Sequence, residues 1–144
     1  MHVQDDITIA APAAVVWEIY ADVERWSSWT ASVTKVELLD GPVLATGSRA
    51  RIKQPRFPRL LWTVTAIEPG TSWTWVNRAP GATTTATHEL RRVDDATTHV
   101  TQTIEQREPV GRLVGRLTRR LTRRYLAMEA AGLRQRAESH VAPS

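Results

Sequence analysis

Two rhythms of apolar and polar positions divide the chain. From Trp62 to Gln106 the period is two, in short β-branched and aromatic runs broken at Pro69-Gly70, Pro80-Gly81 and Asp94-Asp95. Alternation between turn signals predicts an antiparallel meander. Opposed residues in such a pair share a face and keep a constant index sum. With Pro69-Gly70 as one tip, Trp73 faces Ala66, Trp75 faces Val64 and Asn77 faces Trp62. With Pro80-Gly81 as the next, Trp73 faces His88 and Trp75 faces Ala86. With Asp94-Asp95-Ala96 as the third, Leu90 faces Val100, His88 faces Gln102 and Ala86 faces Ile104. One face then gathers Trp62, Val64, Trp73, Trp75, His88, Leu90, Val100, Gln102 and Ile104. The other gathers threonines with Glu89, Arg91 and Glu105. The turns alone do not force this separation, and a slip of one residue would destroy it.

Ahead of the meander, Val3, Ile7 and Ile9 alternate as a first strand that Ala11-Pro12 stops. Val15, Val16, Ile19, Tyr20 and Val23 recur at helical spacing, which predicts a short helix over 12–22 and a further helical turn over Asp22 to Trp29. Thr34, Val36 and Leu38 make a second strand, and Gly47 opens a third with Ala50 and Ile52 on one face. Arg49, Arg51 and Lys53 fall on the opposite face, and Pro55 to Pro58 is a loop.

After Pro109 the rhythm changes. Val110, Leu113, Val114, Leu117, Leu121, Tyr125, Met128, Ala131 and Leu133 follow a helical period, with Gly111 and Gly115 predicting a bend or a separate short segment. Residues 139–144 read as a frayed tail. The order is strand, two short helices, six strands and one long helix, in a single domain over 1–144. That is an α+β protein in which a seven-stranded curved antiparallel sheet wraps a long C-terminal helix. Where sheet and helix do not fully touch, a cavity remains.

Composition narrows the chemistry. There are no cysteines, so no thiolate metal site or disulfide framework. No histidine pair has ligand spacing, and no phosphate loop or nucleophile elbow occurs, so neither metal nor cofactor is expected. The start lacks a secretory pattern and no apolar run could span a bilayer, so a cytoplasmic protein is expected, as monomer or homodimer. The net charge of +4 is uneven. Arginines cluster after Gly111, where Glu129 is the one acid as far as Ala137. The plain interpretation is a solvated helix face. A second is weak contact with an anionic membrane through Arg116, Arg119, Arg120 and Arg123. Nucleic acid is not expected, because no aromatics interleave with the arginines.

The stretch Ile9-Ala-Ala-Pro-Ala-Ala-Val-Val-Trp17, then Asp22 and Trp29, resembles the opening of the START-like superfamily. Gly47, Trp62-Thr-Val-Thr with Pro69-Gly70, and a closing helix with Leu133 and Glu138 resemble its later parts. The resemblance covers essentially the whole chain and is strongest to the bacterial polyketide cyclase/dehydrase-like branch. It implies the helix-grip fold and an interior ligand pocket. In cyclases of that branch the pocket combines tryptophan walls with an arginine or tyrosine. Here the wall matches, but the arginines fall on the solvent face.

Each candidate has a plain structural alternative. Inward tryptophans usually serve as core, and a buried histidine or glutamine is usually satisfied internally. Three tryptophans on one face are nonetheless hard to pack against a helix rich in small residues, which favours a lined cavity. The candidate ligand-binding residues are Trp29, Trp62, Val64, Trp73, Trp75, His88, Gln102, Ile104, Leu117, Leu121 and Tyr125. His88 and Tyr125 are weak catalytic candidates, since no second catalytic group stands beside them. The expected function is binding of a small hydrophobic ligand, aromatic polyketide- or lipid-like, between sheet and C-terminal helix. The alternatives are a polyketide cyclase or dehydratase, and a membrane- or protein-docking module built on the arginine-rich helix. Entrances are expected at Pro55–Pro58 or under the early helix glycines.

Overall fold

Alternation in the first nine residues and in the meander produces strands that a computed structural model arranges as one sheet; it describes residues 1–141. The strands are β1 (His2–Ile9), β2 (Lys35–Leu38), β3 (Arg49–Lys53), β4 (Leu60–Glu68), β5 (Ser72–Ala79), β6 (Ala82–Asp94) and β7 (Thr97–Arg107). Helix α1 (Ala13–Ala21) and a 3-10 helix (Val23–Ser28) lie between β1 and β2, and α2 (Pro109–Val141) closes the chain. Strand order is β1-β7-β6-β5-β4-β3-β2, every neighbouring pair antiparallel. The curved sheet grips α2, as the alternation and the final helix require.

The meander register agrees with index arithmetic through most of its length. Trp75 pairs with Val64, Trp73 with His88, His88 with Gln102 and Leu90 with Val100. One pairing is corrected. A bulge between Val64 and Ala66 puts Ile67, not Ala66, opposite Trp73. The extra residue turns an isoleucine toward the core and leaves the alanine exposed, a gain in apolar burial that a strict period of two cannot express. Short helices and sheet enclose a core in which Ile9, Val16, Tyr20, Val23, Trp73 and Leu133 are among the most buried.

Helix α2 departs from expectation in two respects. It runs without interruption from Pro109 to Val141, so the glycines make no separate segment. They serve close approach instead. A Cβ on Gly111 would lie 3.2 Å from Ala82 Cα, and one on Gly115 2.1 Å from Gln106 Oε1. The Gly111 amide also donates to the Gly81 carbonyl at 3.0 Å. Secondly, residues 139–141 of the expected frayed tail are helical; residues 142–144 lie outside the described residues. The far end of α2 is tied back to β1, where the Ala10 amide donates to Glu138 Oε2 at 2.9 Å.

Candidate functional site

Aromatic side chains from four elements converge under α2. Trp26 comes from the 3-10 helix, Trp62 from β4, Trp75 from β5 and His88 from β6. Alternation on three neighbouring strands aims the last three at one side. Trp75 lies 6.1 Å from Trp62 and 5.8 Å from Trp26, centroid to centroid. Together with Phe57, Ile104, Tyr125, Leu126 and Glu129 they line a cavity of about 80 Å³ between sheet and helix. Gln54, Phe57, Ile104 and Thr122 are the polar or apolar lining residues that keep partial exposure. Tyr125 bridges helix and loop: its hydroxyl donates to the Pro55 carbonyl, and its ring meets Phe57 edge-on at 5.9 Å. The loop at Pro55–Pro58 therefore borders the cavity. The space beneath Gly111 and Gly115 is filled by Ala82, Gln106 and Met1, so that expected entrance is closed.

His88 is held as a neutral imidazole. It stacks on Trp73 at 4.1 Å with an interplanar angle of 13°, and Trp75, Tyr20 and Trp26 surround it edge-on. Burial lowers its pKa to about 3, outweighing the hydrogen bond to Trp73. Because the Trp73 carbonyl can only accept, the 3.3 Å contact places the proton on Nδ1 and leaves Nε2 as acceptor.

Glu129 on α2 is the titratable lining residue absent from the sequence-based candidates; Trp26, Phe57 and Leu126 are lining residues absent from them too. The Glu129 side chain is 6 % exposed and faces the cavity. Burial raises its pKa to about 8, opposed by the hydrogen bond from Ser32 and reinforced by the Asp5 charge. Ser32 Oγ lies 3.5 Å from Glu129 Oε1 and 2.7 Å from Thr30 Oγ1. At neutral pH the carboxyl keeps its proton and can donate a hydrogen bond. Its signal was available: Glu129 stands four residues after Tyr125 and four before Leu133, on the buried stripe of the helix.

The structure divides the remaining candidates. Trp62, Trp75, His88, Ile104 and Tyr125 line the cavity. Trp73 and Val64 are fully buried behind it as packing. Gln102 donates through Nε2 to the Leu126 carbonyl at 3.1 Å, bracing α2 on the sheet. Trp29 lies beneath Gly132, where an added Cβ would come within 2.1 Å of the Trp29 carbonyl, and borders an outer cleft with Ser28 and Arg136. Leu121 sits outside the cavity, in a shallow cleft with Pro55, Tyr125 and Met128. Leu117 is 76 % exposed. It and Leu121 were expected in the wall because their spacing continues that of Leu133, but α2 turns its glycines to the sheet at that end. No arginine or lysine lines the cavity, and Arg49 and Arg51 are exposed as expected, Arg49 pairing with Asp40. No group of metal-binding side chains occurs among the described residues. No helix among them is long and apolar enough to cross a membrane.

Residues 1–138 match the family described as "Polyketide cyclase / dehydrase and lipid transport". The chain belongs to this family. A curated Streptomyces halstedii protein, named provisionally as a polyketide cyclase, is 27% identical over 93 residues, 65% of this chain and 74% of the relative. Among solved structures, the Zhui aromatase/cyclase from Streptomyces sp. R1128 superposes with a TM-score of 0.80 at 20% identity, covering 99% of this chain and 96% of that one. A norcoclaurine synthase variant from Thalictrum flavum superposes with a TM-score of 0.78 at 12% identity, covering 99% and 96%. At such identities the superpositions establish the helix-grip fold and leave chemistry to the site.

Proposed function

We propose that this family member binds a small, uncharged, largely apolar ligand between its sheet and α2. The observation that carries this is one cavity walled by Trp26, Trp62, Trp75 and Phe57, with no cationic side chain and with His88 and Glu129 both held neutral at pH 7. Apolar burial supplies affinity at roughly 25 cal/mol per Å². A carboxylate or phosphate ligand would lose its hydration with no cation to receive it. The Glu129 carboxyl donates to a ligand carbonyl or hydroxyl, and His88 Nε2 accepts. At about 80 Å³ the cavity admits a single small ring. Ligand pockets commonly reach about 300 Å³ or more, so a polyketide- or lipid-sized guest enters by separating Tyr125 from Pro55.

Native mass spectrometry of the protein recovered from its host, with titration of tryptophan emission by the neutral probe N-phenyl-1-naphthylamine, tests this. An adduct or saturable quenching is expected, weakened by Trp62→Ala. A bare mass together with no quenching would overturn it.

Glu129 also favours a second function, cyclisation or dehydration of a poly-β-keto chain. Its carboxyl would protonate a hydroxyl departing as water while His88 Nε2 took the proton from the adjacent carbon. An imidazole with a pKa of about 3 is a weak base, which is why binding is preferred. Glu129→Gln and His88→Gln separate the two functions, since an enzyme loses turnover while keeping the probe.

A further inference from the structure

The first half of α2 exposes what an amphipathic helix ordinarily buries. Val110, Leu113, Val114 and Leu117 are 50%, 56%, 42% and 76% exposed. They recur at three- and four-residue spacing, so with Leu121 they form one ridge roughly 16 Å long. Gly111 and Gly115 face the sheet instead, which leaves the ridge on the outside. Alongside it stand Arg112, Arg116, Arg119, Arg120, Arg123 and Arg124, all exposed. No acid occurs from Pro109 to Tyr125. None of these arginines makes a salt bridge among the described residues. At its far end the ridge meets the cavity gate, where Leu121 and Arg124 adjoin Pro55, Arg56 and Tyr125.

We propose that this ridge docks on the surface of an anionic lipid bilayer. An interfacial helix needs aliphatic side chains to enter the acyl boundary and cations to meet lipid phosphates, and this segment carries both on adjoining faces. The alternatives fit less well. A second copy laid ridge to ridge would oppose two rows of arginines with no acid between them. Nucleic acid would use the guanidinium groups but give the exposed leucines nothing to bury against. A convex ridge requires no preformed groove in a fluid surface. The gate beside the ridge gives docking a use, namely exchange of an apolar ligand without passage through water, yet the docking itself does not depend on the ligand proposed above.

Flotation of the full chain with vesicles tests it, using phosphatidylcholine alone and phosphatidylcholine mixed with phosphatidylglycerol. Partition onto the mixed vesicles should be at least about tenfold higher, and raising salt to about 0.5 M should largely remove the difference. Arg119→Glu/Arg120→Glu/Arg123→Glu should reduce partition by at least about tenfold. Leu113→Ser/Leu117→Ser should do so by a comparable factor. All five residues are exposed, so circular dichroism should show each variant folded. Equal partition onto both vesicles, or either folded variant partitioning like the parent, would overturn the proposal. So would a solution dimer dissociated by Leu117→Ser, or tight binding to duplex DNA without binding to vesicles.

Discussion

Between Tyr125 and Ala137, α2 buries Tyr125, Leu126, Glu129, Ala130, Leu133 and Ala137; between Val110 and Leu117 it buries only Gly111 and Gly115 and turns its aliphatic residues to solvent. The two halves share one helical period and one helix axis. What separates them is the width of the gap to be filled. Near Ala82 and Gln106 the helix lies so close that an added Cβ would crowd the Ala82 backbone or the Gln106 side chain, and large side chains have nowhere to go but out. Over the aromatic cluster the gap is wide enough for a cavity. Apolar periodicity thus marks a helix and its stripe, but steric room decides which stripe is buried.

The comparison would break if both halves responded alike to truncation. Leu133→Ala should cost about 2–5 kcal/mol, because Leu133 is fully buried in the main core. Leu117→Ala should stay within about 0.5 kcal/mol. Urea denaturation of the two variants reads both. A loss at Leu117 approaching that at Leu133 would mean the ridge is covered within the fold.

Glu129 gives the buried half a pH signature that the arginine-bearing half lacks. Its pKa rises from 4.5 unfolded to about 8 folded. The folded state then holds a proton that the unfolded state releases. The associated stability is complete below pH 4.5 and is lost as pH rises through 8. His88 has the opposite sign: its folded pKa of about 3 lies below 6.5, so its contribution is complete above pH 6.5 and is lost as pH falls toward 3. Thermal melts should show Glu129→Gln removing most of the decline between pH 4.5 and 8, a few kcal/mol in size. His88→Gln should flatten the acid limb instead. A parent whose stability is level from pH 5 to 9 would contradict the burial of Glu129.

Most of the fold was legible, because every meander turn carried a Pro-Gly or Asp-Asp signal and register follows from turns. The bulge after Val64 was not, since no residue there announces an extra position. Of the site, Trp62, Trp75, His88, Ile104 and Tyr125 were placed on the inner face by alternation or helical spacing. Trp26 escaped because a 3-10 helix of six residues has no period long enough to read. Glu129 escaped because among arginines it reads as surface charge, and only its place on the Tyr125–Leu133 stripe says otherwise. Trp73 and Gln102 show the limit of facing inward: both sit on the correct face, and one packs while the other braces the helix.

The two glycine contacts should also differ. An alanine at position 132 would drive its Cβ into the Trp29 carbonyl, a backbone atom beneath the helix, so Gly132→Ala should cost about 2 kcal/mol. At Gly115 the atom closest to the added Cβ is the end of a glutamine side chain. Gln106 can swing away, and the gain in helix propensity, about 1 kcal/mol, offsets much of the strain. The Met1 Cβ must shift as well, so Gly115→Ala should cost about 1 kcal/mol by urea denaturation, less than Gly132→Ala. If it proves as costly as Gly132→Ala, the Met1 side chain, 2.8 Å from the same Cβ, is the rigid partner.

Tyr125 stands where the halves meet, and removing its hydroxyl sharpens the boundary with the smallest change. Tyr125→Phe keeps the ring against Phe57 and deletes only the donation to Pro55. The Pro55 carbonyl belongs to an exposed residue, so water replaces the lost donor and stability should fall by about 1 kcal/mol or less. The larger consequence is kinetic. A gate that opens more often lets the probe enter and leave faster by the same factor, so both rate constants rise in stopped flow while their ratio holds. If dissociation alone quickened, the hydroxyl would be a ligand contact. If neither rate moved, guests would cross the rim between Thr122 and Ile104, and the Pro55–Pro58 loop would be wall rather than door.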